Sequence, residues 1–358
     1  MEGLILHDFL HTVGGAERVL ECISRLVEPD FDLLAVGFDQ EILEQLNLKQ
    51  VKALLPFNIN ESQKRRIAPG IQYLVSKLSF EIPVITSSYS FVHLVQSPAQ
   101  LTYCHSPMRQ IWSGYTEYSN SKSLIQNTAL KILSKRMQVL DRTGAIRRPN
   151  FIASSQVVAA RIREYYGFEP LAVVSPPVSD ELFTFEIKDD KDYWVWCGRI
   201  IEPYKKVGAL VEIFNSLNER LVVIGDGPDR ARIESKANSN ISFVGFKGAR
   251  ELSELISGAM GLIYPSHEDF GMMPMESLAL GTPVIVSNLS GVFKLLESNP
   301  YCIGIDNLDQ KSLVQAMHQL LKFSYARQSI RDSVVAHTEN HFANSFKQIW
   351  RDVASLGE

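Results

Sequence analysis

The stretch Gly261–Ser287 reads GLIYPSHEDFGMMPMESLALGTPVIVS. The apolar run Gly261–Tyr264 leads into a polar turn. Pro274–Leu280 then reads as a helix with proline at its opening position, and a second apolar run, Pro283–Ser287, follows Gly281. Strand, helix and strand in that order make a crossover unit, which joins parallel strands. Parallel sheets are covered on both faces, so their strands are continuous apolar runs rather than alternations.

The same scheme continues on either side. Strands are expected at Tyr193–Cys197, Leu221–Ile224 and Ile241–Val244, with helices at Val207–Leu217, Asp229–Ala237, Ala249–Ser257 and Gln310–Phe323. Earlier in the chain, Gly3–Leu6, Leu33–Val36, Val84–Thr86 and Leu101–Cys104 read as buried strands. Val19, Leu20, Ile23 and Leu26 fall at helical spacing between them. Alternation of this kind repeated twice gives an α/β protein of two doubly wound, Rossmann-like domains. The expected boundary lies in Pro170–Pro177, giving domains 1–170 and 171–339, with Glu186–Asp192 as a surface loop. Ser345–Leu356 places Phe346, Ile349, Trp350 and Val353 on one helical face, within a final segment of about 340–358.

Composition narrows the class. The 358 residues are 45% hydrophobic and 21% charged, which supplies ample apolar surface and excludes disorder as the dominant state. A net charge of -4 offers no global field for nucleic acid. No window reaches the ~18 continuous apolar residues of a spanning helix. The opening Met1–Asp8 lacks the basic region of a secretion signal. Cys22, Cys104, Cys197 and Cys302 stand far apart, with no Cys-x-x-Cys pair. That excludes a zinc knuckle and argues for a reducing, cytoplasmic setting. Charge is uneven: residues 1–170 carry +2 and the remainder -6. Lys64-Arg65-Arg66 and the run Lys131–Arg148 hold much of the basic charge. Each is either a solvated helix face or a surface for anionic headgroups or a phosphorylated acceptor.

Ligands of open parallel sheets bind beyond the carboxyl ends of strands, and five places there carry candidate chemistry. Gly14-Gly15 lies between a strand and a helix, where backbone N–H groups can meet an anion; a simple tight turn explains it equally. Arg199 and Lys205 follow the strand Tyr193–Cys197 and could clamp a diphosphate, or form a surface pair. Gly225-Asp-Gly-Pro228 lacks the third glycine of a dinucleotide fingerprint and reads as a tight turn. Glu268 and Glu276 flank a glycine turn, so that a loop carboxylate and a helix carboxylate could accept hydrogen bonds from sugar hydroxyls, or cap the helix. Gly271, Met272 and Met273 between them would present N–H groups to an anion. His105, in Tyr103-Cys-His-Ser-Pro-Met-Arg109, closes another strand. His7, His11, His93, His318, His337 and His341 show no constellation in sequence. No histidine spacing or nucleophile elbow suggests a metal centre or a serine nucleophile.

Taken in order, these motifs resemble the retaining nucleotide-sugar glycosyltransferases of family four, the group 1 glycosyltransferases, in their mannosyltransferase-like branch. The resemblance rests on Glu268-x7-Glu276 within Glu-Asp-Phe-Gly-x-x-Pro-x-Glu and on Gly281-Thr-Pro-Val-Ile285. Gly14-Gly-Ala-Glu-Arg18, Tyr103–Arg109, Pro203-Tyr-Lys-Lys206 and Gly225–Pro228 add to it. It implies a GT-B fold, two Rossmann-like domains facing across a cleft, with no essential metal and no cofactor beyond the donor. The first domain would hold the acceptor and the second the nucleotide sugar, and the last helix would cross back to the first domain.

By the same resemblance, Arg199 and Lys205 would bind the diphosphate. Glu268 would contact the donor sugar, and Glu276 the ribose. Gly271, Met272 and Met273 would donate N–H groups to sugar and phosphate. Gly14 and Gly15 would approach the donor phosphate, His105 would lie beside the anomeric centre, and the base would pack at Val244 and Phe246. Three positions depart from the pattern: Lys206 replaces a common glycine, Glu202-Pro203 lengthens the Arg199–Lys205 loop, and Lys294 replaces a common glutamate.

The implied activity is hexosyl transfer with retention to a saccharide acceptor, a lipid-linked one, in polysaccharide or glycoconjugate synthesis. GDP-mannose is the first-choice donor, with UDP-hexoses open. The implied setting is the cytoplasm, with peripheral attachment to the inner face of an anionic membrane and no nucleic-acid partner. A GT-B epimerase or hydrolase, or a non-catalytic nucleotide-sugar-binding subunit, stands as the alternative.

Overall fold

A computed structural model describes residues 2–27, 31–48, 50–112, 124–187, 192–322 and 326–355. The chain divides into two compact units, 1–176 with 340–358, and 177–339. The ends of the expected helices at Phe323 and Leu356, residues 188–191 of the expected loop, and the side chains of Lys64, Arg65 and Arg66 lie outside the described residues.

The first unit is built on β1 (Gly3–Leu10), β2 (Phe31–Phe38), β3 (Lys52–Ala53), β4 (Val84–Ser88), β5 (Gln100–Cys104), β6 (Phe151–Ala153) and β7 (Ala172–Val173), in the order β3-β2-β1-β4-β5-β6-β7. Every pairing is parallel. β1 sits centrally and all eight of its residues are buried. The apolar run predicted only Gly3–Leu6, because His7 and Asp8 interrupt it. Both are fully buried inside the sheet, where His7 bonds to Ser87 through Nδ1 at 3.0 Å. The Asp8 carboxylate accepts backbone N–H groups from Tyr89 and Ser90 (both 2.7 Å), Phe91 (2.6 Å) and Val92 (3.0 Å). A buried carboxylate with that many donors is held in place by them. It fixes the turn that follows β4. β6 and β7 are too short for a sequence pattern to reveal. β7 still belongs to the first sheet, so this unit runs to Pro176 rather than to residue 170.

The helix Glu339–Ser355 belongs to the first unit although it follows the second in sequence. Phe342 and Phe346 pack on the buried Tyr103 ring, with centroids 5.7 and 6.5 Å away, and Trp350 meets the Phe31 ring at 5.9 Å. Aromatic contacts of this kind dominate a small interface.

The second unit contains β8 (Trp194–Cys197), β9 (Leu221–Ile224), β10 (Ile241–Gly245), β11 (Gly261–Tyr264), β12 (Val284–Ser287) and β13 (Cys302–Ile305), in the order β10-β9-β8-β11-β12-β13. These strands are parallel too. Both faces are covered. Trp194 and Trp196 enter one apolar cluster with Leu210, Phe214 and Leu313, while Val195 and Cys197 enter another with Leu278 and Val286. This two-sided burial is why β8 reads as an unbroken apolar run.

Two local expectations need correction. The helix after β11 begins at Met272, not Pro274, and Gly271 precedes it at φ 96°. Proline therefore stands third in the helix, where its missing N–H would have had no intrahelical partner. Glu276 accordingly begins the second turn rather than lying in the first. The helices expected at Val207–Leu217 and Asp229–Ala237 are shorter, Val207–Phe214 and Arg230–Glu234. Beyond their ends the two segments are tied together: Asn215 donates Nδ2 to the Lys236 carbonyl and accepts the Asn238 N–H on Oδ1, and Asn240 donates Nδ2 to the Phe214 carbonyl.

Candidate functional site

Strand order reverses at two places: between β1 and β4 in the first sheet, and between β8 and β11 in the second. The crevice beyond the carboxyl ends at such a point is where open sheets receive ligands. In each unit the candidate residues flank that point.

In the second unit, β8 runs into Gly198 and Arg199, and β11 runs into the loop Pro265–Phe270. The β9 turn packs beneath the first of these loops. A Cβ on Gly225 would collide with the carbonyl oxygen of Gly198, and one on Gly227 with that of Ile200. The Gly225-Asp-Gly227 turn is therefore a support that needs glycine for close approach. Arg199 is exposed and makes no hydrogen bond or ion pair among the described residues, so its guanidinium donors face solvent.

Lys205 stands differently. Its Nζ lies 2.5 Å from Glu268 Oε1 and 3.3 Å from the Tyr264 hydroxyl, and both partners of the ion pair are only 15% exposed. Tyr204 donates its hydroxyl to Glu268 Oε2 at 2.6 Å. The ammonium also lies 5.3 and 5.5 Å from the Tyr204 and Tyr264 ring centroids, within cation–π range. Burial, with Glu268 beside it, holds the Tyr264 hydroxyl well above the usual tyrosine range. Neither Tyr204 nor Tyr264 was singled out in sequence. Only their packing on Lys205 gives them a place in the site.

The loop carrying Glu268 is pinned from behind. The N–H of Gly291 bonds the Glu268 carbonyl at 2.9 Å, and that of Val292 bonds the Phe270 carbonyl at 2.7 Å. Met272 and Met273 open the helix Met272–Ala279, so their N–H groups have no partner within it and carry the positive end of its dipole. Glu276 is buried on the same helix. Glu202, the lengthening residue of the Arg199–Lys205 loop, accepts the N–H of Gly208 at 2.8 Å and so caps the helix Val207–Phe214. Val244 lies half-buried at the end of β10, whereas Phe246, two residues on, is 78% exposed. The two residues expected to pack the base thus share a strand end but not a burial state.

In the first unit, Gly14 precedes the helix Gly15–Val27 beyond β1. His105 follows β5. Its Nε2 lies 2.8 Å from Ser87 Oγ, which in turn lies 3.0 Å from His7 Nδ1. The three side chains form one hydrogen-bonded row that the sequence did not reveal, and His7 is no isolated histidine. Burial lowers the His7 imidazole to about 3 and holds His105 well below its usual range, with His7 as a second cause. Both rings are therefore neutral at pH 7. His11 and His93 also have partners: His11 Nδ1 lies 3.0 Å from Asp39, and His93 lies 3.0 Å from both Ser88 Oγ and Asp141. Among the described residues no group of three His, Cys, Asp or Glu side chains could hold a metal ion.

Residues 191–322 match the family described as Glycosyl transferases group 1. The chain is similar to a GDP-mannose-dependent alpha-(1-6)-phosphatidylinositol dimannoside mannosyltransferase of Mycobacterium tuberculosis. The two are 37% identical over 112 residues, which is 29% of this chain and 29% of that relative's length. An alpha-D-kanosaminyltransferase of Streptomyces kanamyceticus is 22% identical over 273 residues, 70% of this chain and 64% of the relative. Among solved structures, HepE of Anabaena in complex with UDP and glucose superposes with a TM-score of 0.72 at 12% identity, covering 98% of this chain and 100% of that one. At that identity the likeness shows the fold, which is GT-B. The matched residues hold β8 to β13 and both glutamates of the paired motif, so the likeness to the group 1 glycosyltransferases spans the whole second sheet.

Proposed function

We propose that this chain is a retaining glycosyltransferase that moves a hexose from a nucleotide diphosphate sugar to a saccharide acceptor. The observation that carries the reading is the convergence of Arg199, Lys205, Glu268 and the helix start at Gly271–Met273 on the β8/β11 switch point. Arg199 and Lys205 take the diphosphate and stabilise the charge that develops on the departing nucleotide. The N–H groups of Gly271, Met272 and Met273 bind sugar and phosphate oxygens, Glu268 the sugar hydroxyls and Glu276 the ribose. Val244 and Phe246 flank the base. With strands about 4.8 Å apart, β10 stands roughly 14 Å from β11. That span suits an extended nucleoside diphosphate sugar lying across the strand ends. In the first unit, Gly14 and Gly15 at the start of the helix Gly15–Val27 offer N–H groups to an anion, and His105 follows β5. No divalent metal takes part.

GDP-mannose is the first-choice donor, as used by the mycobacterial relative, and UDP-hexoses are the second, given UDP in the HepE structure. The phosphatidylinositol dimannoside in that relative's name favours a lipid-linked acceptor. A thermal-shift panel of GDP, UDP, ADP and dTDP with their sugars tests the reading. A ligand at a hundredfold excess over its Kd adds about 2.7 kcal/mol of stability. No shift with any nucleotide would remove the proposal's basis.

The paired glutamates separate ligand binding from helix capping. Glu276→Gln should weaken nucleoside diphosphate and full donor alike. Glu268→Gln should spare the bare nucleotide while turnover falls sharply. Capping alone would cost roughly 1–2 kcal/mol of stability and leave both affinities intact. Paired titrations and initial rates distinguish these outcomes.

The setting proposed is the cytoplasmic face of an anionic membrane. Among the described residues no helix is long and apolar enough to cross a membrane. On the helix Leu124–Arg147, however, Ile132, Val139 and Ile146 are 54%, 67% and 50% exposed at heptad spacing. Lys131, Lys135, Arg136, Arg142 and Arg147 are exposed on the same helix. Each basic residue at an anionic surface is worth about 1 kcal/mol, screened by salt. Cosedimentation should favour anionic over neutral vesicles and fall as salt rises. Equal recovery from both would leave a solvated face.

A further inference from the structure

Lys206 is one of few residues other than glycine with a left-handed backbone, at φ 56° and ψ 26°, immediately before the helix Val207–Phe214. In that conformation the Cβ crowds the following carbonyl oxygen, and glycine would hold the turn without the crowding. The side chain is half-buried, and its Nζ lies 2.7 Å from His267 Nε2. A charged lysine donates to that nitrogen. One of the three ammonium protons is thereby used, and the other two have no protein acceptor among the described residues.

The contrast with the adjacent cation is informative. The charge of Lys205 is matched by Glu268, whereas Lys206 pairs with no carboxylate among the described residues. Burial lowers the Lys206 ammonium below its usual range, with nothing opposing it. The chain thus keeps a conformationally crowded, partly desolvated and unmatched cation one residue from Lys205. His267, which aims it, is one residue from Glu268. A cation so arranged is complementary to an anionic oxygen that arrives with a ligand.

We infer that Lys206, oriented by His267, is an additional anion-binding side chain of the donor site. It would take an oxygen of the diphosphate or of an acidic group on the transferred sugar. The inference rests on the donor site proposed above.

The test compares the wild type with Lys206→Gly, which relieves the backbone, and Lys206→Asn, which tolerates the left-handed turn without charge. Lys206→Arg keeps the charge. Melting curves without nucleotide should show Lys206→Gly at least as stable as wild type, shifted upward by about 2–4 °C. Calorimetric titrations then use GDP, GMP, UDP, UMP, UDP-glucose and UDP-glucuronate. A loss of about tenfold for the diphosphates in both uncharged variants, with monophosphates unchanged and Lys206→Arg near wild type, assigns the contact to the diphosphate. A similar loss confined to UDP-glucuronate assigns it to a sugar carboxylate. Wild-type affinities for every ligand in both uncharged variants would overturn the inference while leaving the donor site standing. A folded wild type that binds no nucleotide at all would overturn the donor site and this inference together.

Discussion

Lys205→Ala is expected to lower turnover by about 10²–10³-fold, the scale seen when one donor to a developing charge is removed, and to destabilise the protein as well. Arg199→Ala should lower turnover similarly and leave stability alone. The difference follows from their surroundings. Arg199 is exposed and holds nothing else in place. Lys205 neutralises Glu268 where both are 15% exposed. Its removal takes the ammonium away from a carboxylate that the Tyr204 and Tyr264 hydroxyls also contact. Breaking a fully buried pair costs about 3–5 kcal/mol; with residual solvent access, about 1–3 kcal/mol is expected here. Replacing both partners, as in Lys205→Met with Glu268→Leu, should restore most of the stability and none of the activity. Initial rates and urea melts on the four proteins measure this. Activity within threefold of wild type in both single variants would refute the clamp, and equal stability of the two would refute the structural role of Lys205.

Asp8→Ala should be among the most damaging substitutions for folding. Four backbone N–H groups, from Tyr89 to Val92, end on that fully buried carboxylate. An unsatisfied buried donor costs about 1–3 kcal/mol. Even if water reaches two of the four, the loss should exceed about 3 kcal/mol, a large fraction of a domain's total stability. Asp8→Asn replaces one acceptor oxygen by a donor and should fall between. Urea unfolding at unchanged m gives the values, and a loss under about 1 kcal/mol for Asp8→Ala would contradict the account.

Asp8 also shows where the sequence is readable and where it is not. Apolar runs such as Trp194–Cys197 and Gly261–Tyr264 announce two-sided burial, and the crossover units follow from them. His7 and Asp8 break such a run, because a polar residue in a strand is identifiable as buried only once its partners some 80 positions away are known. The short strands β3, β6 and β7 have too few residues to set a period. At the site, the residue types were legible: a lone arginine, a lysine and two glutamates after strands. Their grouping was not. The strand order β9-β8-β11 brings Lys205 to Glu268, and no spacing along the chain encodes that order. Tyr204, His267 and Ser87 become significant only through contacts that strand order creates. Lys206 was visible as an oddity of type, and its backbone angle supplied a physical reason to weigh it.

The final helix has a bearing on how the protein is made. A ribosome releases the chain from its first residue onward, and domains usually fold in the order in which they emerge. Here the first unit lacks Phe342, Phe346 and Trp350 until the second has been synthesised in full. For that interval Tyr103 and Phe31 lack the aromatic partners that cover them in the finished protein. The earlier unit is thus the later to be completed. A chain halted anywhere between residues 177 and 339 would display an uncovered apolar surface, the kind of signal that chaperones and proteases recognise in unfinished proteins.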